Sequence, residues 1–184
     1  MVNTYLTIGT KKIETDRLLL RKIELSDAEK IYKNWTSDPL VSKQLEWDVH
    51  TSIDDTIEYV KSKLEVYNNK FFYDWIVVLK ETNEPIGEIS GVRIQKKHDL
   101  VELGYNYGSK FWGNGYASEA LKAVIKFLKE EAKVYKVICA HISTNLASGK
   151  VMQKAGMEYD GTLKDYRIDK STNERVDLIY YSSR

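Results

Sequence analysis

The sequence contains few of the residues that mark disulfide-stabilised, metal-binding or membrane proteins. Its single cysteine, Cys139, excludes an intrachain disulfide and a metal site of paired cysteines, and lies in an apolar run typical of a buried strand. No apolar stretch approaches the ~20 residues of a membrane span. The net charge is only +1, so we expect no broad basic surface for nucleic acid.

The chain is also poor in segments that separate domains. It has 2 prolines among 184 residues and no Gly/Ser/Pro-rich linker, repeat or low-complexity tract. This length suits one domain, residues 1–184. Apolar residues make up 42% and charged residues 30%, which is typical of a globular chain. The segment 1–14 lacks the apolar core of a secretory signal, so we expect a cytoplasmic protein.

Hydrophobic periodicity predicts a mixed α/β chain. Strands are predicted at 15–23, 71–79, 85–94, 100–107 and 136–142, with a closing hairpin over 157–182. Short turns between the strands of 71–107 imply an antiparallel meander. The segment 100–142 reads as strand, helix, strand, which predicts a parallel pair joined by a right-handed crossover. The result is a mixed sheet with helices on both faces.

Capping residues and apolar spacing locate the helices. Ser26 and Glu29 form the pattern of a capping box, followed by a helix to about Trp35. Asp38 before Pro39 predicts the start of a short helix. A longer amphipathic helix is predicted within 51–67, a helix of about 17 residues after 115, and another over 145–156. The apolar stripe of the helix in 51–67 comprises Ile53, Ile57, Val60, Leu64 and Tyr67.

The stretch YNYGSKFWGNGYASEALKAV, residues 105–124, contains three of the chain's 10 glycines within eight residues. These are Gly108, Gly113 and Gly115, and the last two lead directly into the predicted helix. Free N–H groups at a helix N-terminus bind phosphate, and glycine lets phosphate oxygens approach the backbone closely. Ordinary turn chemistry between a strand and a helix is the alternative. The P-loop and the dinucleotide-binding glycine pattern are both absent.

Four segments together resemble the GNAT N-acetyltransferases. WGNGYASEA is similar to their acyl-CoA-binding loop, whose pattern is Gln/Arg-x-x-Gly-x-Gly/Ala. The segments ETDRLLLRKIELSDAEKIYKNW, VELGYNYGSKFWGNGYASEAL and NLASGKVMQKAGMEYDG resemble the Rim-type branch, which acetylates N-terminal amines of ribosomal proteins. The resemblance covers roughly residues 14–181. It implies a mostly antiparallel sheet of about seven strands with a splayed strand pair, acetyl-CoA as co-substrate, no metal, and a primary amine as acceptor.

The resemblance also assigns the donor site residue by residue. It places pantetheine along Tyr105, Asn106 and Tyr107, although aromatic residues of a half-buried strand would give the same pattern. It places the pyrophosphate on the backbone N–H groups of Trp112, Gly113, Asn114, Gly115, Tyr116, Ala117 and Ser118. Asn145 matches the asparagine that binds the pantetheine arm, and it also suits a helix N-cap.

The chemistry requires a base for the amine and stabilisation of the leaving thiolate. Many family members carry a tyrosine seven residues after the asparagine, where this chain has Met152, which cannot donate a proton. Ser148 is the matching hydroxyl of the Rim-type branch, and we expect it to contact the cofactor and polarise the sulfur. Glu102 is the first candidate for the base and Glu88 the second, with a chain of water molecules as a third possibility.

The sequence leaves the acceptor open. Trp35, Trp47 and Tyr73 are equally suited to walls of the acceptor site and to the core. By branch resemblance a protein N-terminal α-amine is the first candidate acceptor, followed by small amines such as amino acids, polyamines or drugs. The alternative to an enzyme is an inactive acyl-CoA-binding sensor module, for which Met152 is the only support. We interpret the three histidines (His50, His98 and His141) as structural or surface residues. The sequence does not decide between a monomer and a homodimer.

Overall fold

The computed structural model describes residues 8–43 and 45–183. The strands are β1 (Ile13–Glu14), β2 (Leu18–Arg21), β3 (Asp74–Leu79), β4 (Glu84–Gln95), β5 (Leu100–Tyr107), β6 (Lys136–Ile142), β7 (Glu158–Asp169) and β8 (Glu174–Ser183). The helices are α1 (Ala28–Ile31), α2 (Pro39–Ser42), α3 (Ile53–Val66), α4 (Tyr116–Glu130) and α5 (Leu146–Lys154). A π-helical turn, Tyr32–Thr36, extends α1.

The strands form one mixed sheet in the order β1-β2-β3-β4-β5-β6-β8-β7. All neighbours are antiparallel except β5 and β6, which are parallel and connected through α4. A parallel pair needs such a crossover, since a tight turn can only reverse the chain. The predicted meander, crossover and closing hairpin are confirmed, as is the mixed α/β class. The described sheet has eight strands where about seven were expected, because residues 13–21 form two short strands.

The sheet is covered on both faces, and a separate apolar core lies on each. Along β3 the alternate side chains Trp75 and Val77 join the core under α4 and α5, whereas Ile76 and Val78 join the core under α1 to α3. Every residue of β3 is buried. Burial of every position explains why the strand is apolar apart from Asp74, its first residue.

Cap geometry decides two of the predicted helix starts. The start of α2 is confirmed, since the Asp38 carboxylate accepts from the N–H of Leu40 with Pro39 at the first position. The capping box predicted at Ser26 and Glu29 is wrong. The box instead joins Glu24 and Asp27, because Arg21 binds both oxygens of Asp27 and holds that carboxylate beside the Glu24 N–H.

Helix α3 turns most of its predicted apolar stripe toward the core, since Val60 is buried and Ile57 and Tyr67 pack beside it. Leu64 is exposed, whereas Thr56 and Val60 are buried. The side chains of Tyr59 and Lys63 also turn toward the sheet, where they meet acidic groups. The apolar stripe is therefore confirmed at Ile57, Val60 and Tyr67, and polar side chains of α3 share the face that meets the sheet.

Of the three aromatic residues considered for an acceptor wall, two belong to the cores. Trp35 is buried under α1 and Tyr73 is buried under α4. Trp47 is partly buried and its ring lies 5.9 Å from that of His50. No helix within residues 8–43 and 45–183 is both long and apolar enough to span a bilayer.

Candidate active site

A gap between two parallel strands is the central feature of the site. Strands β5 and β6 pair over four positions, from Leu100 with Lys136 to Leu103 with Cys139. Beyond the last pair, β5 continues to Tyr107 and β6 to Ile142. Within the described chain no further pair joins them, so the β5 edge from 104 to 107 faces β6 without a strand partner. Backbone groups on such an edge need hydrogen bonds, and an extended amide-containing ligand can supply them.

The glycine-rich loop begins where the open edge of β5 ends. Gly113 and Gly115 have φ values of +79° and +80°, and no atom lies near a Cβ built on Gly113. Gly115 caps α4, whose first backbone bond runs from the Glu119 N–H to the Gly115 carbonyl. The preceding N–H groups of α4 therefore lack helical partners and form an anion-binding surface.

The third glycine of this stretch has another role. A Cβ on Gly108 would collide with the carbonyl oxygen of Asn34, so Gly108 is required for packing against the π-helical turn. Two glycines, Gly113 and Gly115, rather than three, therefore shape the glycine-rich loop itself.

Side chains of the loop stabilise its own backbone. The Trp112 indole N–H donates to the Tyr107 carbonyl at 2.7 Å, while half of the Trp112 ring remains exposed. The Asn114 amide donates to the carbonyls of Phe111 and Trp112 at 3.2 and 3.1 Å. Because these side chains are engaged in the loop, the groups left to meet an anion are backbone N–H groups.

Tyr105 and Ser148 meet at the open edge of β5. The Tyr105 hydroxyl lies 2.9 Å from Ser148 Oγ and donates to the Ser148 carbonyl at 3.0 Å. Burial and the neighbouring Cys139 thiol raise the pKa of Tyr105, so its hydroxyl stays protonated. Asn145 caps α5 by accepting from the Ser148 N–H at 3.2 Å, which confirms its predicted capping role. The sequence did not reveal the Tyr105–Ser148 contact, because 43 residues separate the pair.

The tyrosine usual in the family has no counterpart at this site. Met152, which stands at that position, is 1% exposed and packs in the core under α4 and α5. Its identity is therefore explained by packing. The hydroxyl groups that the structure brings together beside the gap are those of Ser148 and Tyr105.

Two other polar atoms near the gap lack partners among the described residues. They are the buried Oδ1 of Asn106 and the buried hydroxyl of Tyr107, on opposite faces of β5. A buried polar atom without a hydrogen bond costs about 1–3 kcal/mol. Both residues lie on the segment that the sequence assigns to pantetheine binding.

Glu102 lies one residue before the last β5–β6 pair, at the closed end of the gap. Its side chain is 15% exposed, and one oxygen is 2.5 Å from Arg93 Nη2. Strand alternation places it on the face opposite Tyr105. Burial, and to a smaller extent the Glu102 carboxylate, raises the pKa of the Cys139 thiol. Cys139 is fully buried, as predicted, and a neutral buried thiol is a poor nucleophile.

Glu88 lies in a buried polar cluster that we call the acidic network, comprising Tyr59, Lys63, Tyr67, Asp74 and Glu88. Lys63 Nζ is 2.6 Å from Glu88 Oε1 and also binds Asp74, while Tyr59 donates to the other Glu88 oxygen. Tyr67 donates to Asp74 at 3.0 Å. Glu88 pairs in register with Asn106, so the acidic network lies beside the open part of β5.

The pKa values of the two acids in the acidic network, Glu88 and Asp74, are shifted in opposite directions. Burial opposes ionisation of Glu88, but the Lys63 ammonium and the Tyr59 hydroxyl outweigh it and hold the pKa of Glu88 below its usual value. Burial and the Glu88 carboxylate raise the pKa of Asp74 well above its usual value. Glu88 is therefore the charged partner of Lys63.

The sequence contains a pattern that indicates the acidic network, although the sequence-based predictions did not include it. Tyr59, Lys63 and Tyr67 are spaced by four residues, which places them on one helical face. Asp74 is the single charged residue of an apolar strand. Among the described residues, no three potential metal-ligating side chains form a cluster.

Comparison with known proteins gives one consistent result. The acetyltransferase (GNAT) domain model matches residues 17–158. The uncharacterized N-acetyltransferase p20 of Bacillus licheniformis is 30% identical over 172 residues, covering 91% of this chain and 93% of that protein. The [ribosomal protein uS5]-alanine N-acetyltransferase of Escherichia coli is 33% identical over 66 residues, covering 36% of this chain and 34% of that protein.

A solved structure agrees with these sequence matches. The GNAT-family acetyltransferase from Bacillus anthracis superposes with a TM-score of 0.81 at 31% identity, covering 94% of this chain and 98% of that one. The open strand pair and the glycine loop occur together within the segment that matches the domain. The chain therefore belongs to the GNAT family and is an acetyl-CoA-dependent N-acetyltransferase.

Proposed function

We propose that the gap between β5 and β6 binds acetyl-CoA and that the protein transfers the acetyl group directly to a primary amine. The observation that carries this proposal is that β5 loses its β6 partner after Leu103 and leads into the phosphate loop. Pantetheine amides would pair with the open backbone of 104–107, beside Tyr105, Asn106 and Tyr107. The pyrophosphate would lie on the N–H groups of 113–118, because the Trp112 N–H, also expected in this set, donates to the Ser109 carbonyl at 3.1 Å.

In the reaction, the amine nitrogen attacks the thioester carbonyl carbon, a C–N bond forms and the C–S bond breaks. The base takes the proton that the amine gives up, and the sulfur leaves with the electron pair of the C–S bond. The thiolate is then protonated from solvent. The buried, neutral Cys139 thiol gives no support to an acyl-enzyme route.

We assign the base to Glu102 rather than Glu88. Glu102 lies at the closed end of the gap and forms one ion pair with a half-exposed arginine. Both oxygens of Glu88 are bound by Lys63 and Tyr59, and its depressed pKa makes it a weaker proton acceptor. Glu102 is therefore favoured by its position at the closed end of the gap and by the carboxylate oxygen that lies outside its ion pair.

Ser148 and Tyr105 are proposed to stabilise the leaving sulfur. Replacing either hydroxyl, in Ser148→Ala or Tyr105→Phe, should lower kcat about 10- to 100-fold, because a hydrogen bond to a charged atom contributes about 1.5–3 kcal/mol. The double variant should lose little more than the worse single variant, since the two hydroxyls act as one chain. Steady-state kinetics at saturating substrates measure this effect.

Ser26→Ala is the matched control, since Ser26 is exposed on the turn before α1. It should leave kcat unchanged. A normal kcat in Ser148→Ala, combined with a raised KM for acetyl-CoA, would make Ser148 a binding residue only.

The acceptor that we propose is a protein N-terminal α-amine. Its support is the partial similarity to the uS5-alanine enzyme and the Rim-type motifs, while small amines are the competing class. An N-terminal α-amine titrates near ~8, below the ~10.4 of lysine, so it more readily supplies the neutral nucleophile.

Two measurements test the donor and the acceptor separately. Calorimetric titration should show micromolar binding of acetyl-CoA and desulfo-CoA and much weaker binding of ADP. Mass analysis of reactions with N-terminal peptides, internal lysine peptides and free polyamines should show acetyl transfer to the peptide α-amine. Transfer to polyamines alone would overturn the acceptor assignment, and failure of the folded protein to bind acetyl-CoA would overturn the donor site.

A further inference from the structure

Arg17, far from the phosphate loop in sequence, is bound directly to it. It lies in the turn between β1 and β2. Its Nε donates to Glu119 Oε2 at 2.7 Å, its Nη2 forms an ion pair with the same oxygen at 2.6 Å, and its Nη1 donates to the Asn114 carbonyl at 3.1 Å. Its guanidinium also stacks 4.6 Å above the ring of Tyr116. One side chain therefore contacts the loop at three residues.

The carboxylate of Glu119 needs this arginine for an electrostatic reason. Glu119 lies in the first turn of α4, where a negative charge would repel a bound pyrophosphate. Burial opposes its ionisation, but Thr15 and Arg17 bind it and lower its pKa, so it is charged. Its oxygens accept from Thr15 Oγ1 at 2.6 Å and from the Arg17 N–H at 3.1 Å, in addition to the guanidinium. The negative charge is thus compensated from the side of the β1–β2 turn.

We propose that Arg17 is a positioning residue of the donor site. It ties the Asn114 carbonyl and the Glu119 carboxylate together on either side of Gly115, so that the free N–H groups at the start of α4 face the pyrophosphate. The inference rests on the proposed use of this loop as the phosphate site. Arginine suits the role because its planar fork binds two acceptors at once, which lysine cannot do.

If Arg17 positions the loop, replacing it should weaken the binding of donors that carry the pyrophosphate more than that of donors that lack it. Arg17→Met should weaken binding of CoA about tenfold by calorimetry and raise KM for acetyl-CoA by a similar factor, with kcat reduced less than twofold. S-acetyl-pantetheine lacks the pyrophosphate and the nucleotide, so its kcat/KM should fall far less. Arg17→Lys should recover part of the affinity, since it keeps the charge but not the fork.

Lys80→Met provides the matched control, because Lys80, in the turn between β3 and β4, also contacts the β1–β2 turn. Lys80 donates to the Thr15 carbonyl at 2.6 Å and pairs with Glu14 at 3.2 Å, and neither contact involves the loop. We expect wild-type affinity for CoA in this variant. Equal losses with acetyl-CoA and S-acetyl-pantetheine in Arg17→Met, or unchanged CoA affinity, would overturn the proposal for Arg17 alone. Absence of CoA binding by the wild-type protein would overturn the proposed donor site and this proposal with it.

Discussion

Replacing Glu102 with glutamine should lower kcat by about 10²-fold or more, because a positioned general base contributes typically 10²–10⁴-fold. Glutamine keeps the size of the side chain and its hydrogen bond to Arg93 but cannot accept a proton at neutral pH. The thermal midpoint should change little, since Arg93 is half exposed and can be solvated. Single-turnover kinetics with bound acetyl-CoA measure the chemical step directly.

Two control variants separate catalysis from structure. Arg93→Gln breaks the same ion pair but keeps the carboxylate, so it should retain most of the activity. Glu88→Gln should lower stability and leave kcat of the folded enzyme within a few-fold of the wild type. If Arg93→Gln were as impaired as Glu102→Gln, the ion pair rather than the base would be the source of the effect. A large loss of kcat confined to Glu88→Gln would transfer the base to the acidic network.

Replacing Lys63 with methionine should destabilise the protein by about 3–5 kcal/mol, as expected when one partner of a buried ion pair is removed. Lys63 is the cation between Asp74 and Glu88, whose side chains are almost fully buried. Without it, two adjacent carboxylates compete for ionisation and one must bind a proton on folding. Urea unfolding at several pH values measures the loss.

The pH dependence of this loss has a definite sign. Burial and the neighbouring carboxylate already raise the pKa of Asp74, and removing Lys63 removes the charge that opposes them. A group whose pKa is raised in the folded state gives stability below its unfolded pKa, and that stability is lost as pH rises through the folded value. Lys63→Met should therefore be most destabilised at pH 8 and less so near pH 4.

Lys61→Met is the control from the same helix, where Lys61 is exposed. Surface substitutions of this kind usually change stability by less than 0.5 kcal/mol. An equal, pH-independent effect of both substitutions would mean that the acidic network contributes nothing specific to stability.

The phosphate loop and its strand were predictable because their signals are local. The glycine turn before α4, the cap at Asn145 and the strand β6 (Lys136–Ile142) all follow from adjacent residues. The β-α-β order of 100–142 then fixes a parallel pair, since chirality and short connections leave few alternatives. The error at Ser26 arose because two capping patterns overlap within a few residues, and the contact of Arg21 with Asp27 favours the one that joins Glu24 and Asp27.

The sequence by itself determined the mixed α/β order, the strand–glycine–helix unit and the family, because periodicity, turn residues and motifs are encoded by near neighbours. Tertiary structure alone decided where β5 and β6 separate, that Tyr105 meets Ser148, that Lys63 lies between Asp74 and Glu88, and that Arg17 binds the phosphate loop. These contacts join residues up to 102 positions apart. They depend on charge and hydrogen-bond complementarity between elements. A local pattern can show which residues share a helical face, as for Tyr59, Lys63 and Tyr67, but not which partners they meet.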